Sequence, residues 1–333
     1  MRAWKLRLWF YGCVLTAIAA AVAFSTSMPG SSYSGQRPKS TPALRELEAR
    51  LRGHVATLAT QIGARNVDRP EKLIAAREYI RSVLTPLETN TARLSLEDLD
   101  AAGRGAQNII FEVSGRSQSA IVVVGAHYDS AHASPGANDN ASGVAATLEL
   151  ASSLSRTPAS KRVRFVFFAN EEPPFFKTPG MGSRTNAESA RRRNDSIEAM
   201  LAIETIGFYS ELEGSQKYPW PIGLMYPSRG NFVGFVGDLG SRSLVRTAIA
   251  AFRTAIEFPS EGAALPATFP GVDWSDHWSF RQAGYPAIMI TDTAIYRDPN
   301  YHRVSDGADQ LDYDALARVT TGLEAVVRRL AAD

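Results

Sequence analysis

Five short runs rich in β-branched and aromatic residues punctuate the chain: NIIFEV near 108, IVVVGAHYD from 121, VRFVFFAN from 163, AMLAIETIG from 199 and PAIMIT from 286. Between and after them, apolar positions recur at helical spacing over about 143–155, 183–196, 239–256 and 312–331. Ahead of them Leu44, Leu47, Leu51, Val55 and Leu58 recur every three or four residues, which predicts an amphipathic helix capped by Thr41 with Pro42 at its first position. A second helix is predicted over 70–84. IVVVGA and VRFVFFA show no alternation of apolar and polar positions, as central strands covered on both faces require. Runs alternating with helices predict a single α/β domain over 41–333, with a mostly parallel mixed central sheet and helices on both faces. Ligands of such a sheet bind beyond the carboxyl ends of its strands.

The first forty residues read differently. Residues 8–24, LWFYGCVLTAIAAAVAF, form an uncharged, largely apolar run long enough to cross a bilayer, and Arg2, Lys5 and Arg7 precede it. That charge order expects the N-terminus inside and the rest outside the cytoplasm. Ala21, Val22 and Ala23 offer an A-x-A cleavage site, so residues 1–24 read as a signal peptide or a membrane anchor, and the Ser-, Gly- and Pro-rich 25–40 as a flexible tether. The expected location is therefore exported: membrane-anchored, or secreted or periplasmic once the leader is cleaved. The chain holds 36 Lys and Arg against 34 Asp and Glu, and the three cations of the leader leave the remainder at 33 against 34. No basic block long enough to track phosphates appears, so nucleic acid is not an expected partner. Cys13, the single cysteine, lies in the leader, which excludes a disulfide framework, a zinc finger and a cysteine nucleophile. A metal in the body would have to be held by histidine and carboxylates.

Those residue types gather where the predicted strands end. His127 and Asp129 leave the first central run in GAHYDS, a spacing that suits a metal ligand and its orienting carboxylate. Asp139 follows in SPGANDNASGVA, a tight loop in which Ser142 or Asn140 can cap the helix opening near Gly143. Glu171 and Glu172 are adjacent at the end of VRFVFFAN, so one can bind metal while its neighbour stays free to take a proton. Glu204 ends an apolar run in AIETIG, and His302 lies in DPNYHRVSD with Asp306 four residues on. Nitrogen and oxygen ligands without sulfur suit zinc or another divalent first-row ion, and a shared carboxylate with a spare glutamate is the makeup of a two-metal hydrolytic site.

GAHYDS, PGANDNASGVA, NEE, the acid with IG, SDHWSF with GYPA, and YH with a later Asp together resemble the co-catalytic zinc exopeptidases, which include bacterial leucyl aminopeptidases and glutamate carboxypeptidase II. The resemblance runs from about Thr41 to Asp333 and implies the zinc exopeptidase (phosphorylase/hydrolase-like) architecture and two zinc ions. It implies Asp139 as the bridging carboxylate, Glu172 and His302 on one zinc, and His127 and Glu204 on the other. Glu171 becomes the general base, Asp129 the orienter of His127, and Tyr301 a hydroxyl that assists the substrate carbonyl. It also implies a cis peptide between Asp139 and Asn140. His277 in SDHWSF supports the site in this family without binding metal. The chain departs from the pattern twice. Many relatives carry Asp at the position of Glu204, which makes occupancy of the second metal less secure, and PPFFKTPGMGS follows NEE where a Gly and Leu are usual. Phe175 and Phe176 in that insert can wall the substrate pocket or pack the core. The expected function is a metal-dependent exopeptidase acting on peptides, foremost an aminopeptidase. Alternatives are a carboxypeptidase, with Arg184 and Arg281 as candidate carboxylate clamps, a glutaminyl-cyclase-like transferase, and a non-catalytic ectodomain.

Overall fold

The computed structural model describes residues 2–117 and 120–333. Helix α1 (Arg2–Thr26) contains Trp9–Thr26, the one stretch among the described residues that is long and apolar enough, by length and composition, to cross a membrane. Thr41 caps α2 (Pro42–Val55) through its hydroxyl, which accepts from Leu44 N at 3.2 Å, and the helix runs on as a π-helical stretch to Ile62. Helix α3 (Pro70–Leu84) follows.

The chain then builds an eight-stranded sheet: β1 (Ala92–Asp98), β2 (Gln107–Val113), β3 (Ile121–His127), β4 (Arg162–Phe168), β5 (Ile197–Glu204), β6 (Val233–Asp238), β7 (Ser260–Leu265) and β8 (Ala287–Thr291). Their spatial order is β1-β2-β4-β3-β5-β8-β6-β7. The central β4, β3, β5 and β8 are mutually parallel, whereas β1 and β2 join antiparallel at one side and β6 antiparallel to β8 at the other. Pairing of His127 with Phe168 and of Glu204 with Thr291 brings the ends of these four strands to one edge. The five strands expected from sequence are present. The pattern missed β1, β6 and β7, which form the margins of the sheet.

Both faces are covered. Val122 and Val124 of β3 join the core beneath α2, α4 (Gly143–Arg156), α6 (Arg242–Ala255) and α8 (Tyr313–Leu330). Ile121 and Val123 turn the other way, onto Ala187 and Ala190 of α5 (Gly182–Arg192) and Phe280 of α7 (His277–Gln282). Each such apolar side chain contributes roughly 1.5–3 kcal/mol on burial, which anchors the strand register and hence the position of every residue that follows a strand.

Residues 25–40 lie against the body. Arg253 donates to the carbonyls of Pro29 and Gly30 at 2.9 and 3.1 Å, and Arg242 to that of Phe24 at 2.6 Å. Arg37 pairs with Asp312 at 2.7 Å, and the edge strand β7 gives its Ser260 N–H to Ser32 at 3.0 Å. The segment forms a strap, because distant arginines take up the carbonyls of a chain too poor in apolar residues to form an element of its own.

Candidate active site

The four parallel strands deliver the acids and histidines to one crevice. His127 is the last residue of β3, Glu204 the last of β5; Glu171 and Glu172 follow β4, and Tyr301 and His302 follow β8. Asp139 comes from the loop before α4. Its peptide bond to Asn140 is cis, as the resemblance implies. Asn140 makes the helix-opening contact there: its side-chain oxygen accepts from Gly143 N at 3.0 Å and from Thr205 N at 3.1 Å, and its amide donates to Ile203 O at 2.8 Å. One side chain thus ties the Asp139 loop to the end of β5. Ser142 instead donates to Asn138 O. Thr205 and His302 both adopt left-handed backbone, with φ of 46° and 59°, a conformation that costs a non-glycine residue about 1–3 kcal/mol and persists where the surroundings enforce it.

Asp139 lies between the two histidines. Its Oδ1 stands 3.2 Å from His127 Nε2 and its Oδ2 3.1 Å from His302 Nε2. His127 Nε2 is also 3.4 Å from Glu204 Oε2, and His302 Nε2 is 3.1 Å from Glu172 Oε2. Two groups share Asp139, His127–Asp139–Glu204 and Asp139–Glu172–His302, each with ligand-type atoms within 4.8 Å of one another, and His127, Glu171 and Glu172 meet the same spacing as a third. Yet His127 Nε2, Asp139 Oδ2 and Glu172 Oε1 are buried without a hydrogen-bond partner. Ligands about 2.0–2.1 Å from a tetrahedral zinc stand about 3.3 Å apart, so the spacing and the orphaned atoms fit a cation held among these residues better than they fit hydrogen bonds. Glu204 Oε2 also accepts from Ser275 Oγ at 2.8 Å.

Asp129 does more than face His127. Its carboxylate accepts from the main-chain N–H of Glu171 and of Glu172, each at 3.1 Å, so it fixes the turn that carries both glutamates. Its Oδ1 is 3.5 Å from His127 Nδ1, while its own carbonyl lies nearer, at 3.2 Å. Glu171 is 7% exposed, with Oε2 at 4.0 Å from His127 Nε2. Burial, reinforced by Glu204 and Glu172 and opposed by His127, holds its pKa well above the ordinary carboxylate range. The Tyr301 ring stacks on His302 at 3.9 Å, and its hydroxyl pKa is raised, first by burial and then by the neighbouring carboxylates.

The remaining residues singled out in the sequence take other places. His277 lies outside both groups: its Nε2 donates to Val272 O at 2.7 Å, and burial lowers its pKa to about 4. Asp306 accepts from the main-chain N–H of Asn138 and Asp139, at 2.8 and 3.1 Å. Phe175 is buried under Arg104, and Phe176 meets Lys177. Arg184 pairs with Glu188 at 2.9 Å and Arg281 with Asp238 at 2.7 Å. The sequence pattern missed Arg65, which is fully buried behind the Asp139 loop. In GARNVDRP it looks like one charge of a solvated turn.

A cavity of about 130 Å³ opens beside Glu204 and Tyr301. Ile222, Phe232, Val236, Val272, Met289 and Ile295 give it an apolar wall, and Glu204 and Glu261 are the charged residues of its lining, with no lysine or arginine among the described residues that line it.

Comparison with known proteins agrees with this geometry. The chain is 38% identical over 278 residues to the uncharacterized protein YfbL of Escherichia coli, covering 81% of this chain and 84% of that one. It is 31% identical over 254 residues to the probable lipoprotein aminopeptidase LpqL of Mycobacterium tuberculosis, where the match covers 68% of this chain and 46% of the relative. The fold superposes on LapB of Legionella pneumophila with a TM-score of 0.69 at 14% identity, over 95% of this chain and 81% of that one. Residues 108–327 match peptidase family M28. With most of the chain matched and the metal-ligand residue types in place, the protein belongs to peptidase family M28, the co-catalytic zinc exopeptidases, and is a zinc metallopeptidase.

Proposed function

We propose that the chain is an aminopeptidase that holds two zinc ions and releases residues with large apolar side chains from the amino end of peptides. The observation that carries this reading is the cavity beside Glu204 and Tyr301, whose wall is apolar and whose charged lining residues are both acids. A substrate's terminal carboxylate, removed from water there, would have no cation to pair with, whereas a protonated amine meets carboxylates. Of the candidate clamps, neither Arg184 nor Arg281 is among the described residues that line this cavity, which supports the same reading.

In this reading His127, Asp139 and Glu204 hold one ion, Asp139, Glu172 and His302 the other, and Asp139 is shared. Zinc, when bound, polarises the scissile carbonyl and acidifies water near neutrality. Glu171 takes the proton of the attacking water on its carboxylate and passes it to the leaving amine nitrogen; its raised proton affinity suits it to hold that proton between the two events. Asp129 keeps Glu171 and Glu172 at their posts through its two main-chain hydrogen bonds. Tyr301, kept protonated by burial and then by the carboxylates around it, donates a hydrogen bond to the oxyanion. Helix α1, as an anchor or a cleaved leader, exports the body.

Paired substrates test the assignment. Leucyl and phenylalanyl p-nitroanilides should be cleaved by the zinc-loaded enzyme and spared after chelation, with activity restored by zinc. N-acetylated dipeptides cleaved as fast as free ones, with C-terminally amidated peptides resistant, would make the enzyme a carboxypeptidase.

A further inference from the structure

Arg65 has no place in the chemistry above, yet its side chain is 0% exposed, and a buried guanidinium is among the costlier groups a fold can carry. Among the described residues no carboxylate lies within hydrogen-bonding distance of it; main-chain carbonyls take up its N–H groups. Nε donates to Tyr128 O at 2.7 Å and Nη2 to Gly136 O at 2.9 Å, while Nη1 reaches Pro135 O and, at 3.4 Å, Leu58 O and Gly63 O. Its own main chain joins in, with Arg65 N donating to Ser130 Oγ at 3.1 Å and Ser130 N to Arg65 O at 2.9 Å. The neighbouring Asn66 donates to the carbonyls of Ser130 and His132 at 2.9 and 2.8 Å.

The carbonyls chosen are informative. Tyr128 lies between His127 and Asp129 in the chain, and Gly136 lies three residues before Asp139. The two legs of the loop that connects β3 to Asp139 are therefore gripped by one rigid, planar group. Gly136 takes φ +62°, and a Cβ there would stand 2.6 Å from Ser130 Cβ and 3.3 Å from Arg65 Nη2, so the loop closes down on the guanidinium. Burial lowers the pKa of Arg65 to about 10, opposed by the nearby Asp129, Asp306, Asp139 and Glu172, which leaves it charged at neutral pH.

We propose that Arg65 is a positioning residue of the metal centre, whose fork sets the separation between the strand end bearing His127 and Asp129 and the loop bearing Asp139, so that each Asp139 oxygen faces its histidine. This rests on the metal-centre reading of the preceding subsection. Lysine at the same place keeps the charge but offers a single point of donation in place of the planar fork. A purely structural bolt would stabilise the fold without setting ligand geometry, and the two roles part at the metal.

The test uses the full chain. Zinc affinity is measured by chelator competition and ligand geometry by the visible absorption of the cobalt-loaded protein, for wild type, Arg65→Lys, the milder Ser130→Ala, and Phe252→Leu as a destabilising core substitution where α6 packs on Phe235 of β6 and Gly322 of α8. Arg65→Lys should weaken metal binding about 10- to 100-fold, the range seen when groups that support ligands are changed, and should shift the cobalt bands. Ser130→Ala, which removes the acceptor of Arg65 N–H and the hydrogen bond from Ser130 to Ser134 O at 2.9 Å, should shift both in the same direction by less. Phe252→Leu should melt earlier with both unchanged. The proposal is overturned if Arg65→Lys folds with wild-type affinity and spectrum, or, should that variant not fold, if Ser130→Ala has both. Failure of the wild-type chain itself to bind zinc or cobalt would be read before any variant and would overturn the metal-centre reading.

Discussion

Replacing Asp129 with asparagine tests the connection between Glu171, the proposed base, and Glu172, a proposed metal ligand. The two carboxylate oxygens each accept one buried main-chain N–H, from Glu171 and from Glu172, at 3.1 Å. Hydrogen bonds to an ionised acceptor contribute about 1.5–3 kcal/mol each. An asparagine can keep one of them, as a weaker neutral bond, and must turn its NH2 toward the other donor, so one N–H is left buried and unpartnered at a cost of about 1–3 kcal/mol. His127 loses less, because its Nδ1 lies nearer the Asp129 carbonyl than the carboxylate, at 3.2 against 3.5 Å. The sum, about 2–4 kcal/mol, falls on the turn that carries Glu171 and Glu172, and at 1.36 kcal/mol per decade corresponds to roughly 30- to 1,000-fold. Steady-state kinetics on an aminoacyl nitroanilide, alongside zinc content of the dialysed protein, should show kcat/KM and metal retention falling together in Asp129→Asn. Turnover within threefold of wild type at full zinc content would refute the reasoning, since it would mean that neither glutamate depends on those two bonds.

Other substitutions separate the roles further. Glu171→Gln keeps size and removes the base, so turnover should fall about 10²- to 10⁴-fold at unchanged zinc content, and loss of zinc in this variant would reassign Glu171 as a ligand. Gly143→Ala puts a Cβ 2.5 Å from Ile203 O and against the Asn140 side chain, so it should lower both melting temperature and metal affinity, by about 1–3 kcal/mol of overpacking; a variant as stable as wild type would show that the Asp139 loop is not braced by Asn140. His277, held neutral by burial with a pKa of about 4, takes a proton in the unfolded chain below about pH 6.5 that the folded chain refuses, so it costs stability progressively as pH falls from 6.5 to 4. Relative to wild type, His277→Gln should therefore gain about 2–3 kcal/mol of unfolding free energy between pH 7 and 4.5, read by urea titration, and a pH-independent difference would show that His277 titrates normally in the fold.

What the sequence disclosed and what it withheld divide along a physical line. The strands β3, β4, β5 and β8 are legible because burial on both faces demands unbroken apolar runs; His127, Glu171, Glu172 and Glu204 are legible because they end or directly follow such runs, whereas Asp139 and His302 lie in polar loops and are legible only through the joint pattern. The marginal strands carry no such signature: β6 reads VGFVGD with two glycines, β7 reads SEGAAL with small side chains, and β1 alternates with Arg93, Glu97 and Asp98 among its residues. Sheet membership there is decided by the neighbour already in place, Phe235 against Ile290 for β6 and Gly262 against Phe235 for β7. The same holds for the groups that support the site. Arg65 is separated from the carbonyls of Pro135 and Gly136 by seventy residues or more, and the strap of residues 25–40 is held by arginines more than two hundred residues away. Acceptors of this kind are peptide carbonyls, which every residue has, so no residue type marks them. A ligand must be a particular side chain and is therefore written in the sequence; the carbonyl that a supporting arginine grips is written only in the fold.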